Sequence, residues 1–363
     1  MRGLLLCLCF VVELGTSSEV RAQTEPFACG NPGPAATEGS AKFITWNIQE
    51  LAVDKPIYDR PVRTSEEFAV LREYRQCLQG DVYALQEVAS PKAVAEVFPT
   101  DSFDICFSGQ KNADELRLAP AYDPAAIEGI KPDCFSKGDM LPGEVTDRAF
   151  QYVALAVRRE SGIAIVEVRD IPEIGQINPE DGRQTRWGLE AVLERNGQRI
   201  RVLIVHLKSG CAEGPITDDL GQDEDCPGLA KQLPFLKAWV NHAAAQPEPF
   251  MIIGDFNRRL DREDPAILPT DMMDSLNGAA TAPTNDDLTL SHSPAGKEFK
   301  CWPDDFASQR FSIDFFVADQ RASSHILKDS DWKWRYQHDI DLGTPKPQRP
   351  SDHCPVQVLV ALP

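Results

Sequence analysis

The 363-residue chain reads as an α/β protein. Three observations predict this: short apolar runs recur along the whole chain, longer segments carry apolar residues at helical spacing, and many apolar runs close on an amide, a carboxylate or a histidine. Apolar residues make up 42% and charged residues 26%, the balance of a folded protein rather than a disordered one.

Residues 1–22 read as a signal peptide, because Met1 and Arg2 precede the apolar run 4–12 and the small residues of "VRAQ" place the cleavage after Ala22. That run is too short for a bilayer-spanning anchor, and Cys7 and Cys9 lack the small preceding residues that lipoprotein processing prefers. No other run approaches membrane length. The mature chain is therefore expected to be secreted or periplasmic, monomeric and without stable membrane association. Residues 23–40 have the Pro/Gly/Ser composition of a flexible lead, and 41–363 are expected to form a single domain.

"KFITWN" at 42–47 predicts a strand ending in Asn47. A helix follows, with Thr64 and Glu67 in capping-box spacing, Phe68, Leu71, Tyr74 and Leu78 on one side, and Gly80 past its end. "DVYALQE" is a strand ending in Glu87, and 90–98 a short helix. The stretch 108–149 is polar, rich in Pro, Gly and Asp, and reads as an insertion held by Cys106 and Cys134. Strands resume at 151–159, 163–168, 186–194 and 200–206, and a helix over 228–245 carries Leu229, Leu233, Leu236 and Val240 at core spacing. "MIIGDFN" and the strands at 312–318 and 355–362 complete the pattern. In "WKWRY" at 332–336 the alternating aromatics suit a buried face better than a platform for stacking bases.

Eight cysteines lie beyond the signal, an even number that suits disulfides in an oxidising compartment but permits about 105 pairings. Cys211 with Cys226 is the expected pair, closing an acidic loop at a gain of roughly 3 kcal/mol. The carboxylates of that loop suit either a solvated surface or a structural Ca²⁺. The formal net charge of -19 argues against a nonspecific nucleic-acid coat, yet leaves room for an enzyme whose bound cation inverts the local sign.

Asn47, Glu87, His206, Asp255 and Asn257 close predicted strands, while Asp314, Asp352 and His353 open others. An antiparallel strand begins where its neighbour ends, so these positions can share one edge. Oxygen donors without thiolates favour Mg²⁺ or Mn²⁺ over zinc. No GxSxG, HExxH, P-loop or GxGxxG pattern competes.

"TWNIQ", "LQEV", "HLKS", "GDFNR", "SIDFFV" and "SDHCPV" occur in the order used by the endonuclease/exonuclease/phosphatase superfamily, and the chain resembles its secreted bacterial, deoxyribonuclease-like members over about 42–358. The resemblance implies a four-layer α/β sandwich of two packed mixed β-sheets flanked by helices. It also implies a metal-dependent phosphodiester hydrolase, a nuclease acting on nucleic acid. Asn47 and Glu87 would hold Mg²⁺ or Mn²⁺, joined by Asp352, and His206 would contact a phosphate oxygen. Asp255 and Asn257 would position or activate water, with His353 oriented by Asp314; Asp255 and His353 stand as alternative bases. Arg186, with Arg183 as competitor, would bind phosphate, and Lys208 and Ser209 would touch substrate. A phospholipase C-type enzyme similar to the sphingomyelinases is the alternative, and a catalytically dead binding module a third reading.

Overall fold

Runs of β-branched and aliphatic residues bury best when strands pair on both edges, and here they pair into two mixed sheets. The computed structural model describes residues 29, 33–55, 61–109, 133–142, 151–175, 185–216, 225–262, 272–277, 290–294, 301, 311–336 and 350–362. In chain order the elements are β1 (Ser40–Leu51), α1 (Ser65–Leu78), β2 (Val82–Val88), α2 (Pro91–Val97), β3 (Phe103–Phe107), β4 (Asp133–Phe135), β5 (Tyr152–Arg158) and β6 (Ala164–Ile171). They continue with β7 (Gly188–Arg195), β8 (Gln198–His206), α3 (Cys226–Ala244), β9 (Phe250–Asp255), α4 (Met272–Asn277) and β10 (Ser291–Ser293). Last come β11 (Asp314–Ala318), α5 (Gln320–His325), β12 (Trp332–Lys333) and β13 (Val356–Ala361).

One sheet has seven strands in the order β12-β13-β1-β2-β5-β3-β4, and the other six, β10-β11-β9-β8-β7-β6. The β1/β2 and β8/β9 pairs are parallel and the other paired neighbours antiparallel, so both sheets are mixed. Three apolar layers explain the stacking. Phe43, Ala84, Leu155, Val202, Ile253 and Phe316 meet between the sheets. Trp46, Leu85 and Ile105 lie under Leu71, Tyr74 and Val94 of α1 and α2. Leu203, Ile252 and Val317 pack beneath Leu229, Trp239 and Val240 of α3. The result is a four-layer α/β sandwich.

The Thr64 capping box forms, with Glu67 N donating to Thr64 Oγ1 at 3.2 Å and Thr64 N to Glu67 Oε2 at 2.7 Å. The left-handed residue that ends α1 is Gln79 (φ 51°), not Gly80. Gly80 is required for another reason: a Cβ there would meet the Tyr83 ring at 2.6 Å and Ile44 at 2.7 Å. Trp334 and Tyr336 are fully buried, as the alternation in "WKWRY" predicts, but Trp332 is only partly buried and Lys333 is buried as well.

The stretch read as an insertion is partly sheet, since residues 133–135 form β4 against β3. Its sequence has no strand period because three residues at a sheet edge are too few to show one. The Cys106–Cys134 disulfide joins the two strands, and Cys211–Cys226, Cys29–Cys77 and Cys301–Cys354 are the other bridges. The signal segment 1–22, the rest of the lead before 29, residues 110–132 and 143–150, Arg183, and the acidic residues 217–224 lie outside the described residues.

Ile253 sits fully buried between the sheets, whereas Val166 is exposed. Ile253→Ala is expected to lower the unfolding free energy by about 2–5 kcal/mol in urea titration, and Val166→Ala by about 0.5 kcal/mol or less. Equal effects would show that the inter-sheet layer does not carry the fold.

Candidate active site

Strand register assembles the site. β8 pairs β9 with His206 opposite Asp255, and β9 pairs β11 with Asp255 opposite Asp314, so three candidate side chains stand in one row at one end of the six-stranded sheet. Gly254 is forced: its φ is 149°, and a Cβ would sit 2.0 Å from the Val205 carbonyl oxygen. The seven-stranded sheet supplies Asn47 from β1 and Glu87 from β2, where a register shift and a φ of 59° at Glu87 interrupt the ladder. The cluster therefore spans two facing sheets rather than the single edge expected from the strand ends. Sequence shows where strands stop but not which sheet each joins.

Asp255 is the hub. Its Oδ2 accepts from Asn47 Nδ2 at 3.0 Å and lies 3.4 Å from His206 Nε2 and 3.8 Å from His353 Nε2. Its Oδ1 accepts from the Asn257 backbone N–H at 2.7 Å, and the Asn257 amide donates to the Leu207 carbonyl at 3.0 Å. Glu87 Oε1 accepts from Asn47 Nδ2 at 3.1 Å, and Oε2 from Glu50 N at 3.2 Å. His353 Nδ1 lies 2.9 Å from Asp314 Oδ2, so the imidazole stands between two carboxylates.

Burial raises the Asp255 pKa from 3.8 to about 7; Asp314 adds to the rise, while His353 and the hydrogen bonds from Asn47 and Asn257 oppose it. At His353 burial works against the charge, but Asp314, Asp255 and Asp352 outweigh it and hold the imidazole well above its ordinary value. His206 is driven well below its ordinary value by burial, Arg186 and His353, which makes it a neutral hydrogen-bonding group.

The remaining predicted residues divide. Arg186 stands close enough to depress the His206 pKa, and its guanidinium donates to the Leu207 carbonyl at 2.9 Å. The Lys208 ammonium instead bonds Asp225 and the Ser209 carbonyl, while Ser209 itself is exposed. Asp352 is exposed, acts on His353 through its charge, and among the described residues makes no hydrogen bond to Asn47 or Glu87.

Several positioning groups escaped the sequence reading. Ser351 Oγ donates to the Asn47 carbonyl at 2.6 Å and accepts from His353 N at 3.0 Å. Tyr336 OH donates to the His353 carbonyl at 2.8 Å and accepts from Trp46 Nε1 at 3.2 Å. Buried Arg63 ties the Ile48, Gln49 and Pro350 carbonyls together. The arginines of "GDFNRR" are structural: Arg258 donates to the Cys211 and Gly214 carbonyls and Arg259 pairs with Glu213. Ser351 opens the "SDHCPV" motif and Tyr336 closes "WKWRY", whereas nothing local marks Arg63.

Two donor groups could hold a cation. Asp255, Asp314 and His353 bring ligand atoms within 4.8 Å of one another, but the His353 nitrogens already face carboxylates that favour protons on them. Glu87, with Asn47 beside it, offers only oxygen and amide donors and suits a hard divalent ion. In the structure Asn47 turns Nδ2 toward Glu87 and its Oδ1 accepts from Gln49 N, so the Glu87 carboxylate is the donor group ready for a cation.

No protein-family model and no curated protein sequence matches the chain. Among solved structures, an endonuclease/exonuclease/phosphatase from Bacteroides vulgatus superposes with a TM-score of 0.52 at 13% identity, over 89% of this chain and 99% of that one. The chain has the endonuclease/exonuclease/phosphatase fold. An AP endonuclease from Leishmania major gives a TM-score of 0.47 at 15% identity over 89% and 88% of the two chains. The human Nocturnin catalytic domain, with a bound sulfate, gives 0.46 at 15% identity over 88% and 92%. At such identities the likeness concerns the fold, and the chemistry must come from the residues above.

The raised Asp255 pKa carries a stability consequence. Between pH 3.8 and about 7 the folded chain holds a proton at Asp255 that the unfolded chain releases, so this group makes stability fall as pH rises. His353 acts in the same direction and His206 in the opposite one. In EDTA, the melting temperature of Asp255→Asn should fall less steeply than that of wild type as pH rises across this window. Parallel profiles would contradict a protonated Asp255.

Proposed function

We propose that the protein is a secreted, divalent-metal-dependent phosphodiesterase of the endonuclease/exonuclease/phosphatase superfamily, cleaving nucleic acid as an endonuclease. The observation that carries this reading is the imidazole of His353, bound to Asp314 at Nδ1 and turned toward Asp255 at Nε2, with Asn47, Glu87 and His206 beside it. The shared fold with the Bacteroides protein supports the superfamily. The four disulfides support an oxidising compartment, and among the described residues no helix is long and apolar enough to cross a membrane.

In this reading the attacking water lies against Asp255, which takes its proton, while Asn257 N–H fixes the carboxylate's other oxygen. His353 and His206 donate to non-bridging phosphate oxygens and stabilise the charge that develops there, with Arg186 adding positive charge at the rim. Asp314 keeps the His353 ring oriented and charged, the part an orienting carboxylate plays beside a catalytic histidine. A divalent ion held by Glu87, with Asn47 and Asp352 near it, supplies Lewis-acid neutralisation of the phosphate when bound.

Plasmid DNA, RNA and sphingomyelin, each with Mg²⁺ and with EDTA, test the substrate class. Nicking of plasmid DNA is expected; hydrolysis of sphingomyelin alone would move the assignment to lipid, and full activity in EDTA would remove the metal. His353→Ala should lower nucleic-acid cleavage at least about a hundredfold with little change in melting temperature. Asp314→Asn should act in the same direction, and the double mutant should lose no more than His353→Ala, because the pair works as a unit. Glu87→Gln should raise the Mg²⁺ requirement or abolish turnover. A His353→Ala enzyme within a few fold of wild type would overturn the mechanism.

A further inference from the structure

The end of the seven-stranded sheet remote from Asn47 and Glu87 holds a second chemistry-bearing hollow. There the starts of β1, β2 and β3, the finish of β5 and the last turn of α1 enclose a cavity of about 450 Å³. Lys42, Arg75, Arg158, Gln76, Gln79 and Tyr83 are among its lining residues. Lys42 and Asn47 are five residues apart on one strand, which separates this cavity from the catalytic cluster by roughly 16 Å.

Its charge is unbalanced. Arg158 pairs with Asp81, and Lys42 Nζ donates to the Leu78 carbonyl at 3.0 Å. Arg75 lies over the Phe103 ring at 5.3 Å, and among the described residues no carboxylate pairs with it. Two donors, Arg75 Nε and Arg158 Nε, are shielded from solvent and find no acceptor among the described residues. Buried donors are nearly always satisfied, and an exception calls for a missing water or ion. The carboxyl end of α1 faces this region, but its Arg75 and Leu78 carbonyls already accept from Gln79 N and Lys42 Nζ. Burial pushes the Lys42 pKa down to about 8 against the pull of Asp81, as expected for a cation short of counter-charge.

We propose that this cavity is a binding site for a phosphate dianion, free or as the terminal group of a nucleotide, held by Arg75 and Arg158 with Lys42 behind them. A phosphate presents several acceptor oxygens to guanidinium donors, and the volume falls in the range of small-ligand sites. In a chain of net charge -19, such a basic hollow attracts anions only at close range, so it favours a compact ligand over a long polyanion. The site is independent of the phosphodiesterase reading.

Isothermal titration calorimetry of the mature chain in EDTA, with inorganic phosphate and separately with adenosine 5′-monophosphate, tests it. Saturable binding of phosphate is expected; tighter binding of the nucleotide assigns the phosphate to a nucleotide, and equal or weaker binding assigns it to the free ion. Arg75→Gln should weaken binding by about ten- to a hundredfold, the loss expected for a charged hydrogen bond. Gln76→Glu, at an exposed lining position, places a negative charge at the mouth without touching the core and should weaken it as well. Binding that survives both variants but disappears in His353→Ala belongs to the catalytic cluster and overturns the proposal, as does the absence of any saturable heat.

Discussion

Asp255 is the constraint on which the site depends. It is 1% exposed, ends the central strand of one sheet, and accepts a hydrogen bond from Asn47 of the other. A carboxylate taken out of water is destabilising by several kcal/mol unless its oxygens are paired. Here one oxygen is met by Asn257 N–H and the other by Asn47 and the two imidazoles. Those pairings fix the distance between the sheets at their functional end, where Phe43, Ile253 and their neighbours set it further down. Gly254 follows from the same demand, since it lets β9 approach the Val205 carbonyl and bring Asp255 level with His206 and Asp314.

Residues 350–355, which carry His353, have no regular structure of their own, so their position has to be imposed from outside. Arg63 holds Pro350, Ser351 binds the Asn47 carbonyl, Tyr336 binds the His353 carbonyl, and the Cys301–Cys354 bridge anchors the following residue. Three of these four supports join the loop to the end of β1 or its neighbour Trp46. Tied in this way, the imidazole stands between Asp314 and Asp255. The other side of the cluster is similarly stapled, with Arg258 and the Cys211–Cys226 bridge fixing the chain just after β8.

Much of the architecture was legible in the residues because burial writes a period into them. The long strands and both long helices announce themselves by apolar runs or helical spacing, and the polar residues that close those runs mark the edge where the candidate site assembles. The Thr64 capping box could be read locally because it solves a problem within a few residues of itself, whereas Gly254 answers the Val205 carbonyl on the neighbouring strand. The short edge strands β4 and β10 could not, since three residues leave no measurable period. Two things were decided only by tertiary structure: which sheet each strand joins and which basic residues are scaffold. Lys208 turns to Asp225, Arg258 to backbone carbonyls, and Asp352 to solvent, although their spacing in the sequence is indistinguishable from that of residues in the cluster. The reason is physical: a side chain's type and strand position fix what it can bond, but its partners here lie tens to hundreds of residues away and are chosen by the packing of the two sheets.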